Sequence, residues 1–436
     1  MDRYSETLQK IYQLRGGMID LRLDRMRQAL ALFDHPEKVF PALHIAGTNG
    51  KGSTAAMLQE ILTRAGYRAA LYTSPHLVSF TERIRIGDRE ISLDKVVALA
   101  DEISRRTDFA GVPLTFFEFV TVMAFLHFAR QVIDIAVIEV GLGGRLDATN
   151  VVTPLVSVIT TISKDHQAYL GPDELAIARE KGGIIKRGVP LILGKLSADV
   201  SALLCGMAQE RQARAYSLGA DFNFFLKEDG RFDYTGMQQN YSNLELALAG
   251  RHQRANAAVA LGALEAARAR FPVDENAVRT GLQHVRWPGR FETILQRPRV
   301  ILDGAHNPEG VEALIEELRR LPRAGKLKLL FATMADKEWQ IMLRALGETV
   351  DEIVFTRVDM ERSADPQVLA AGVGPTLSHR VIADARQAVR TLLQEAAPED
   401  VIVIAGSLYL LGEVRPLLDQ LAEAKAVQTR APKSPL

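Results

Sequence analysis

The residues whose types and spacing best suit chemistry are Gly47-Thr48-Asn49-Gly50-Lys51-Gly52-Ser53. Glycines at 47, 50 and 52 let the backbone approach a phosphate and aim successive N–H groups at it, and Lys51 adds a point charge. The apolar run Ala42-Leu43-His44-Ile45-Ala46 predicts a strand in front of this loop. Ser53 to Leu62 predicts a helix behind it, whose N-terminus contributes the positive end of its dipole. Strand, glycine loop and helix make a phosphate-binding loop, and the expected ligand is a nucleoside triphosphate held by Thr48, Asn49, Gly50, Lys51, Gly52 and Ser53. The strict spacing is not met, because Gly52 separates Lys51 from Ser53 and no glycine stands five positions ahead of Gly50. On the loop alone, a glycine turn with a solvated lysine stays open.

Further candidates stand where predicted strands end. Ile133 to Val140 is an almost wholly apolar strand carrying Glu139 at its far end, where open α/β sheets place ligand chemistry. Buried acids are rare unless paired or bound to metal, so Glu139 is either a magnesium ligand or half of a salt bridge. Leu155 to Ile162 exits likewise into Ser163, Lys164, Asp165 and His166, a histidine that a hydrogen bond or solvent also explains. The strand Ala69 to Tyr72 runs into Thr73-Ser74-Pro75-His76-Leu77, which spacing alone reads as a proline turn with a capping serine. Lys181 lies in a helix predicted over Asp173 to Lys186, where an ordinary surface lysine is the plain reading. Gly250 to Gln253 introduces a helix with Asn256 near its start, polar residues that also serve as caps. Asp303-Gly304-Ala305-His306-Asn307-Pro308 again follows a strand and precedes a helix, so Asp303 and Asn307 fit a turn and cap as well.

The loop GTNGKGS, followed in order by YTSPHL, IEVGLGGRLDATN, DHQAYLG, AREKGGIIK, RHQRANAA, PGRFE and LDGAHNP, resembles the folylpolyglutamate synthase and dihydrofolate synthase family of the wider Mur ligase group, from about residue 40 to about residue 410. The resemblance implies an ATP-dependent ligase with two magnesium ions. Its motifs make Lys51, Glu139, His166 and Lys181 the catalytic candidates and Ser53, Ser74, Glu139 and His166 the metal ligands. Thr73, Pro75, His76 and Arg83 then belong to a mobile loop near 74–90 that touches the pterin substrate. Gln253 and Asn256 approach the nucleotide, Arg290 reaches its phosphates, and Asp303 and His306 contact ATP from a second domain. The family's lysine at position 181 is carbamylated. Gly182 replaces the family's alanine here, which should weaken the helix by ~1 kcal/mol and leave Lys181 in register. Only about forty residues precede the loop, too few for the UDP-sugar domain of the cell-wall Mur ligases. The implied reaction joins L-glutamate to dihydropteroate, to a reduced folate, or to both. Another Mur-type amino-acid ligase, a kinase or ATPase without amide formation, and a nucleotide sensor remain as alternatives.

The elements that must hold these residues form an α/β architecture in two parts. A mainly parallel sheet domain with the phosphate loop is expected over 1–288, a smaller doubly wound α/β domain over 289–423, and a frayed tail over 424–436. Arg286-Trp287-Pro288-Gly289-Arg290 breaks the preceding helix and reads as a hinge. Strands are expected in the second part near 299–303, 326–333, 351–356, 379–383 and 400–405. Residues 4 to 33 carry helical spacing broken at Gly16-Gly17, and Phe222, Phe224, Phe225, Phe232 and Tyr234 suggest short antiparallel strands. Acidic and basic residues each total 53, so bulk charge favours neither nucleic acid nor a membrane surface. With 47% hydrophobic residues, sizeable cores are expected. The single cysteine, Cys205, rules out an intramolecular disulfide, and the N-terminus has neither signal-peptide nor anchor character. A cytoplasmic monomer acting on small molecules is expected.

Overall fold

The structure is a computed structural model that describes residues 2–14, 23–374 and 377–430, with side chains described as far as 424. The Gly16-Gly17 break and residues 431–436 lie outside the described residues. Two compact units divide the chain, Met1–Ala247 with His252–Arg286, and Leu248–Arg251 with Trp287–Leu436.

Short apolar runs bounded by glycine and polar turns supply the strands of the first unit. They are β1 (Ala42–Ala46), β2 (Ala69–Tyr72), β3 (Ile84–Ile86), β4 (Arg89–Glu90), β5 (Ile135–Glu139), β6 (Val156–Ile159), β7 (Leu191–Leu193) and β8 (Ala215–Ser217). They join in the order β4-β3-β2-β5-β1-β6-β7-β8, parallel from β2 to β8, with β3 and β4 an antiparallel extension. Every residue of β1, β2, β5, β6 and β7 is buried, which is why these strands read as continuous apolar runs rather than alternating ones. Helices cover the sheet. Leu93–Ala110 and Phe116–Arg130 bury Val96, Phe125 and Phe128 in one core, and a second core gathers Ile177, Ile184 and Leu204. The chain leaves β1 for β2 and β5 on one side and later crosses to β6 on the other. The C-terminal end of β1 is therefore the point where strand order reverses, the usual ligand crevice of an open α/β sheet.

A small antiparallel sheet follows, β9 (Asn223–Leu226), β10 (Phe232–Thr235) and β11 (Asn240–Leu244). Phe232, Tyr234 and Tyr241 are buried there, and the Tyr234 hydroxyl donates to Glu265 Oε1 at 2.9 Å, tying the sheet to the helix Arg251–Ala267.

The second unit holds β12 (Glu292–Gln296), β13 (Arg299–Leu302), β14 (Leu327–Phe331), β15 (Glu352–Arg357), β16 (Ser378–Asp384) and β17 (Val401–Ala405). Their order is β12-β13-β17-β14-β15-β16, parallel except for the edge strand β12.

Several boundaries differ from expectation. The loop helix spans Lys51–Arg64, starting two residues before Ser53, because Gly50 at φ +83° ends the loop in a left-handed conformation. The helix with Lys181 stops at that residue, and Gly182–Ile184 tightens into a 3-10 turn. The stretch expected as a mobile loop carries a 3-10 turn, Phe80–Arg83, and the β3/β4 hairpin; a reciprocal cap between Ser79 and Glu82 starts that turn. The last helix, Leu408–Arg430, runs through residues 424–430, which were expected as tail. Strand β12 was not foreseen.

Candidate functional site

The phosphate loop is tied to the exit of β6. Thr48 N donates to Thr161 O at 2.7 Å, and Thr48 Oγ1 donates to Ser163 O and accepts from Ser163 N, both at 3.1 Å. Asn49 N donates to Thr161 Oγ1 at 3.1 Å, and Thr160 Oγ1 donates to Asn49 O at 2.6 Å. A Cβ at position 47 would fall 1.9 Å from Thr160 Oγ1, so this approach requires Gly47. No side chain caps the first turn of the following helix, which leaves its dipole end for an anion. Ser53 lies in that turn and is buried with Gly52. Gln253 and Asn256 come over the loop from the helix Arg251–Ala267. Asn256 Nδ2 donates to Gln253 Oε1 at 3.0 Å, and a Cβ on Gly50 would meet Asn256 Oδ1 at 2.4 Å.

Two lysines converge on one carbonyl. Lys51 Nζ donates to Gly47 O at 2.9 Å and Thr48 O at 3.0 Å, and Lys181 Nζ donates to Gly47 O at 2.8 Å. Lys181 is buried, and burial together with the nearby charge of Lys51 lowers its pKa from 10.5 to about 7. The surface-lysine reading of Lys181 is thereby corrected: its ammonium sits against the loop, away from bulk water.

Glu139 closes β5 and is only 5% exposed. Its Oε2 accepts from Ser74 N at 3.1 Å, so the structure brings these two candidates together. Behind it, Gly141 N and Leu142 N each donate to Asp147 Oδ2 at 3.0 Å, and Thr149 N donates to Asp147 Oδ1 at 2.9 Å. His166 opens the short helix Gln167–Leu170 at φ +51°, is 35% exposed at its side chain, and has its N–H on Asp165 Oδ1 at 2.8 Å. Among the described residues no group of three or more His, Cys, Asp or Glu stands ready to hold a metal by itself. The oxygen-rich set of Ser53, Ser74 and Glu139 nevertheless suits Mg²⁺, which takes one or two protein carboxylates and completes its shell with water and phosphate oxygens.

Thr73, Pro75, His76 and Arg83 form a second group. Thr73 N donates to Arg83 O at 3.1 Å, and the Ser74-Pro75 peptide is cis. Arg83 Nε donates to His76 Nδ1 at 2.7 Å, which places the His76 proton on Nε2, 3.5 Å from the Tyr12 hydroxyl. The Arg83 guanidinium stands 5.3 Å from the centre of the Phe116 ring, and Tyr12 stacks on Phe116 at 5.5 Å. Sequence reasoning passed over Tyr12 and Phe116, whose helical spacing suggests only core, and over Asp147, although it stands inside the family-like stretch GLGGRLDATN.

In the second unit Arg290 Nη1 donates to Gly289 O at 3.2 Å. Asp303 accepts from Phe291 N and Ala305 N, both at 2.8 Å, and Asn307 caps the helix Pro308–Arg320 through Gly310 N at 2.9 Å. Asp303 and Asn307 therefore do the turn and capping work left open by the sequence. The His306 Nδ1 lies 2.8 Å from Gly304 O.

Comparison with known proteins places this geometry in a family. Residues 45–264 match the Mur ligase middle domain, and residues 289–408 match the Mur ligase glutamate ligase domain. The dihydrofolate synthase/folylpolyglutamate synthase of Bacillus subtilis (strain 168) is 34% identical, over 90% of this chain and 94% of its own. The structure of E. coli FolC in complex with DHPP and ADP superposes with a TM-score of 0.89 at 33% identity, covering 96% of this chain and 98% of that one. A bifunctional folylpolyglutamate synthase/dihydrofolate synthase with Mn, AMPPNP and L-glutamate bound gives 0.86 at 32% identity, with coverage of 96% and 98%. No helix among the described residues is long and apolar enough to cross a membrane. With its loop, buried acid and paired lysines, the chain belongs to the dihydrofolate synthase/folylpolyglutamate synthase family of Mur ligases.

Proposed function

We propose that this protein joins L-glutamate to the carboxylate of a pterin substrate at the expense of ATP, accepting dihydropteroate, a reduced folate, or both. The observation that carries this reading is the convergence of Lys51 and Lys181 on Gly47 O, in a loop at the sheet's switch point. The neighbouring strand end holds Glu139. A relative solved with Mn, AMPPNP and L-glutamate, and another with DHPP and ADP, support the substrate classes.

A carboxylate is a poor acyl donor, so the γ-phosphoryl group of ATP moves to its oxygen, giving an acyl phosphate and ADP. The amine of glutamate then attacks the acyl carbon, loses a proton and expels phosphate as the amide forms. Such transfer needs positioning and charge neutralisation more than a protein nucleophile. Lys51 and the uncapped amides of the helix Lys51–Arg64 hold phosphate oxygens, while Thr48 and Asn49, tied to β6, keep the loop in shape. Gln253 and Asn256 bound the nucleotide from above the loop. Ser53, Ser74 and Glu139, with His166 for a second ion, would hold magnesium, which when bound neutralises charge on the phosphates. Thr73, Pro75, His76 and Arg83 contact the pterin side. Arg290, Asp303 and His306 stand as proposed nucleotide contacts on their motifs alone. Lys181 is read as carbamylated: an amine with a pKa of about 7 is about half uncharged at neutral pH, far more than an ordinary lysine, and the uncharged form is the one that captures carbon dioxide. The enzyme is read as a cytoplasmic monomer.

The test is phosphate release from ATP with magnesium and glutamate, comparing dihydropteroate, a reduced folate and no acceptor, with products weighed by mass spectrometry. Release that needs glutamate and one pterin, with a single glutamate added, establishes the ligase and its acceptor. Release indifferent to both leaves an ATPase.

A further inference from the structure

A fully buried histidine on β1 reaches the turn behind Glu139 through a chain of hydrogen bonds. His44 Nε2 lies 2.8 Å from Thr149 Oγ1. The Thr149 hydroxyl in turn bonds Asp147 Oδ1, and Asp147 also takes the amides of Thr149, Gly141 and Leu142. The direction of this chain is fixed by proton count. Burial raises the pKa of Asp147, and the Thr149 hydroxyl and the three backbone amides aimed at it oppose that rise by favouring the carboxylate. As a carboxylate it offers only acceptors to these four donors, so Thr149 gives it the single hydroxyl proton. Thr149 then accepts from His44, whose proton therefore sits on Nε2. Burial and the charge of Lys186 keep His44 neutral, with its pKa lowered to about 3. Its Nδ1 has no hydrogen-bond partner, a cost that a side chain present only to fill space would not incur. In register, His44 pairs with Ile138 and Ile45 with Glu139, so the histidine stands one strand away from the acid whose following turn it reaches.

We propose that His44 is a positioning residue for the metal-binding end of β5. Its Nε2–H, relayed by Thr149, holds Asp147 in the one orientation that fixes the Gly141 and Leu142 amides and so aims the Glu139 carboxylate. The inference rests on the reading that Glu139 is a metal ligand. Residues behind a ligand typically change metal affinity by ~10–100-fold when lost.

The experiment measures equilibrium Mn²⁺ binding by electron paramagnetic resonance on the full-length protein with AMPPNP, with circular dichroism to verify folding. His44→Met fills the space without a donor, and Thr149→Val removes the hydroxyl in the same shape. His44→Gln returns an N–H near the place of Nε2. Met and Val should each weaken Mn²⁺ binding about tenfold, their combination should weaken it no further than Val alone, and Gln should stay within about threefold of the parent, on the same principle. Wild-type affinity in a folded His44→Met protein overturns the proposal, as does a Gln variant no better than Met. Should His44→Met not fold, Thr149→Val decides alone, and unchanged affinity there overturns the proposal. Glu139→Gln is the control for the underlying reading: if it binds Mn²⁺ normally, that reading fails, whatever His44 does.

Discussion

Replacing Lys181 with methionine should stabilise the unliganded protein, and the gain should shrink as pH rises. The folded-state pKa of Lys181 is about 7 against an ordinary 10.5. Below pH 7 the ammonium is charged in both folded and unfolded states, and the fold bears its whole desolvation cost. At ~1.4 kcal/mol per pH unit, that cost is about 5 kcal/mol. Between pH 7 and 10.5 the folded protein has released the proton and the unfolded chain still binds it, so wild-type stability rises with pH by ~1.4 kcal/mol per unit. Methionine keeps the length and apolar bulk but loses the bond to Gly47 O, worth ~1 kcal/mol, and that carbonyl keeps Lys51 as a donor. The variant should therefore lead by about 4 kcal/mol at pH 6 and by about 1 kcal/mol at pH 9, on the same linkage. Urea unfolding of both proteins in carbon-dioxide-free buffers from pH 6 to 9 measures the difference, in which titrating groups not coupled to position 181 cancel. A flat difference across that range, or a variant less stable throughout, refutes the reasoning. Adding bicarbonate should stabilise the wild type over the variant, since only the wild type can form a carbamate at position 181.

Glu139→Gln should bind an ATP analogue within about threefold of wild type yet lose turnover by a hundredfold or more, since several kcal/mol of charge stabilisation are at stake; steady-state kinetics with calorimetric binding checks both halves. Gly50→Ala should cost ~2–3 kcal/mol of stability, from backbone strain at φ +83° plus the clash with Asn256. Adding Asn256→Ala should return the clash portion and leave ~1–2 kcal/mol, as urea unfolding will read. Tyr234→Phe removes the hydroxyl from the buried Glu265 and should destabilise by ~1–3 kcal/mol while leaving kcat and KM unchanged.

What was legible in the sequence is what local chemistry decides. Glycine spacing between an apolar run and a helix marked the phosphate loop, and a lone acid at the end of a buried strand marked Glu139. Contacts made at long separation were not legible: Thr149 lies 105 residues from His44, and Tyr12 and Phe116 meet only because two helices pack. Two local signals were present and unused. Ser79-Phe80-Thr81-Glu82 is a capping-box sequence, which marks a turn inside the stretch expected as a mobile loop. Ala422, Glu423, Ala424 and Lys425 are strong helix formers, and propensity carries the last helix past the end of its apolar periodicity. Strand β12 is short and at an edge, where neither face demands a clean pattern.

The tether between the phosphate loop and the β6 exit gives nucleotide binding a built-in reporter. Thr48 and Asn49 are fastened to Thr161 and Ser163, and three residues further along the chain stands His166. On the proposed reading of the site, a phosphate that tightens the loop acts on the same strand exit that leads to His166. By thermodynamic reciprocity, whatever ligand orders His166 must raise nucleotide affinity by the same factor. A substitution at Thr161 or Ser163 would, on that reading, be felt at the loop and at His166 together.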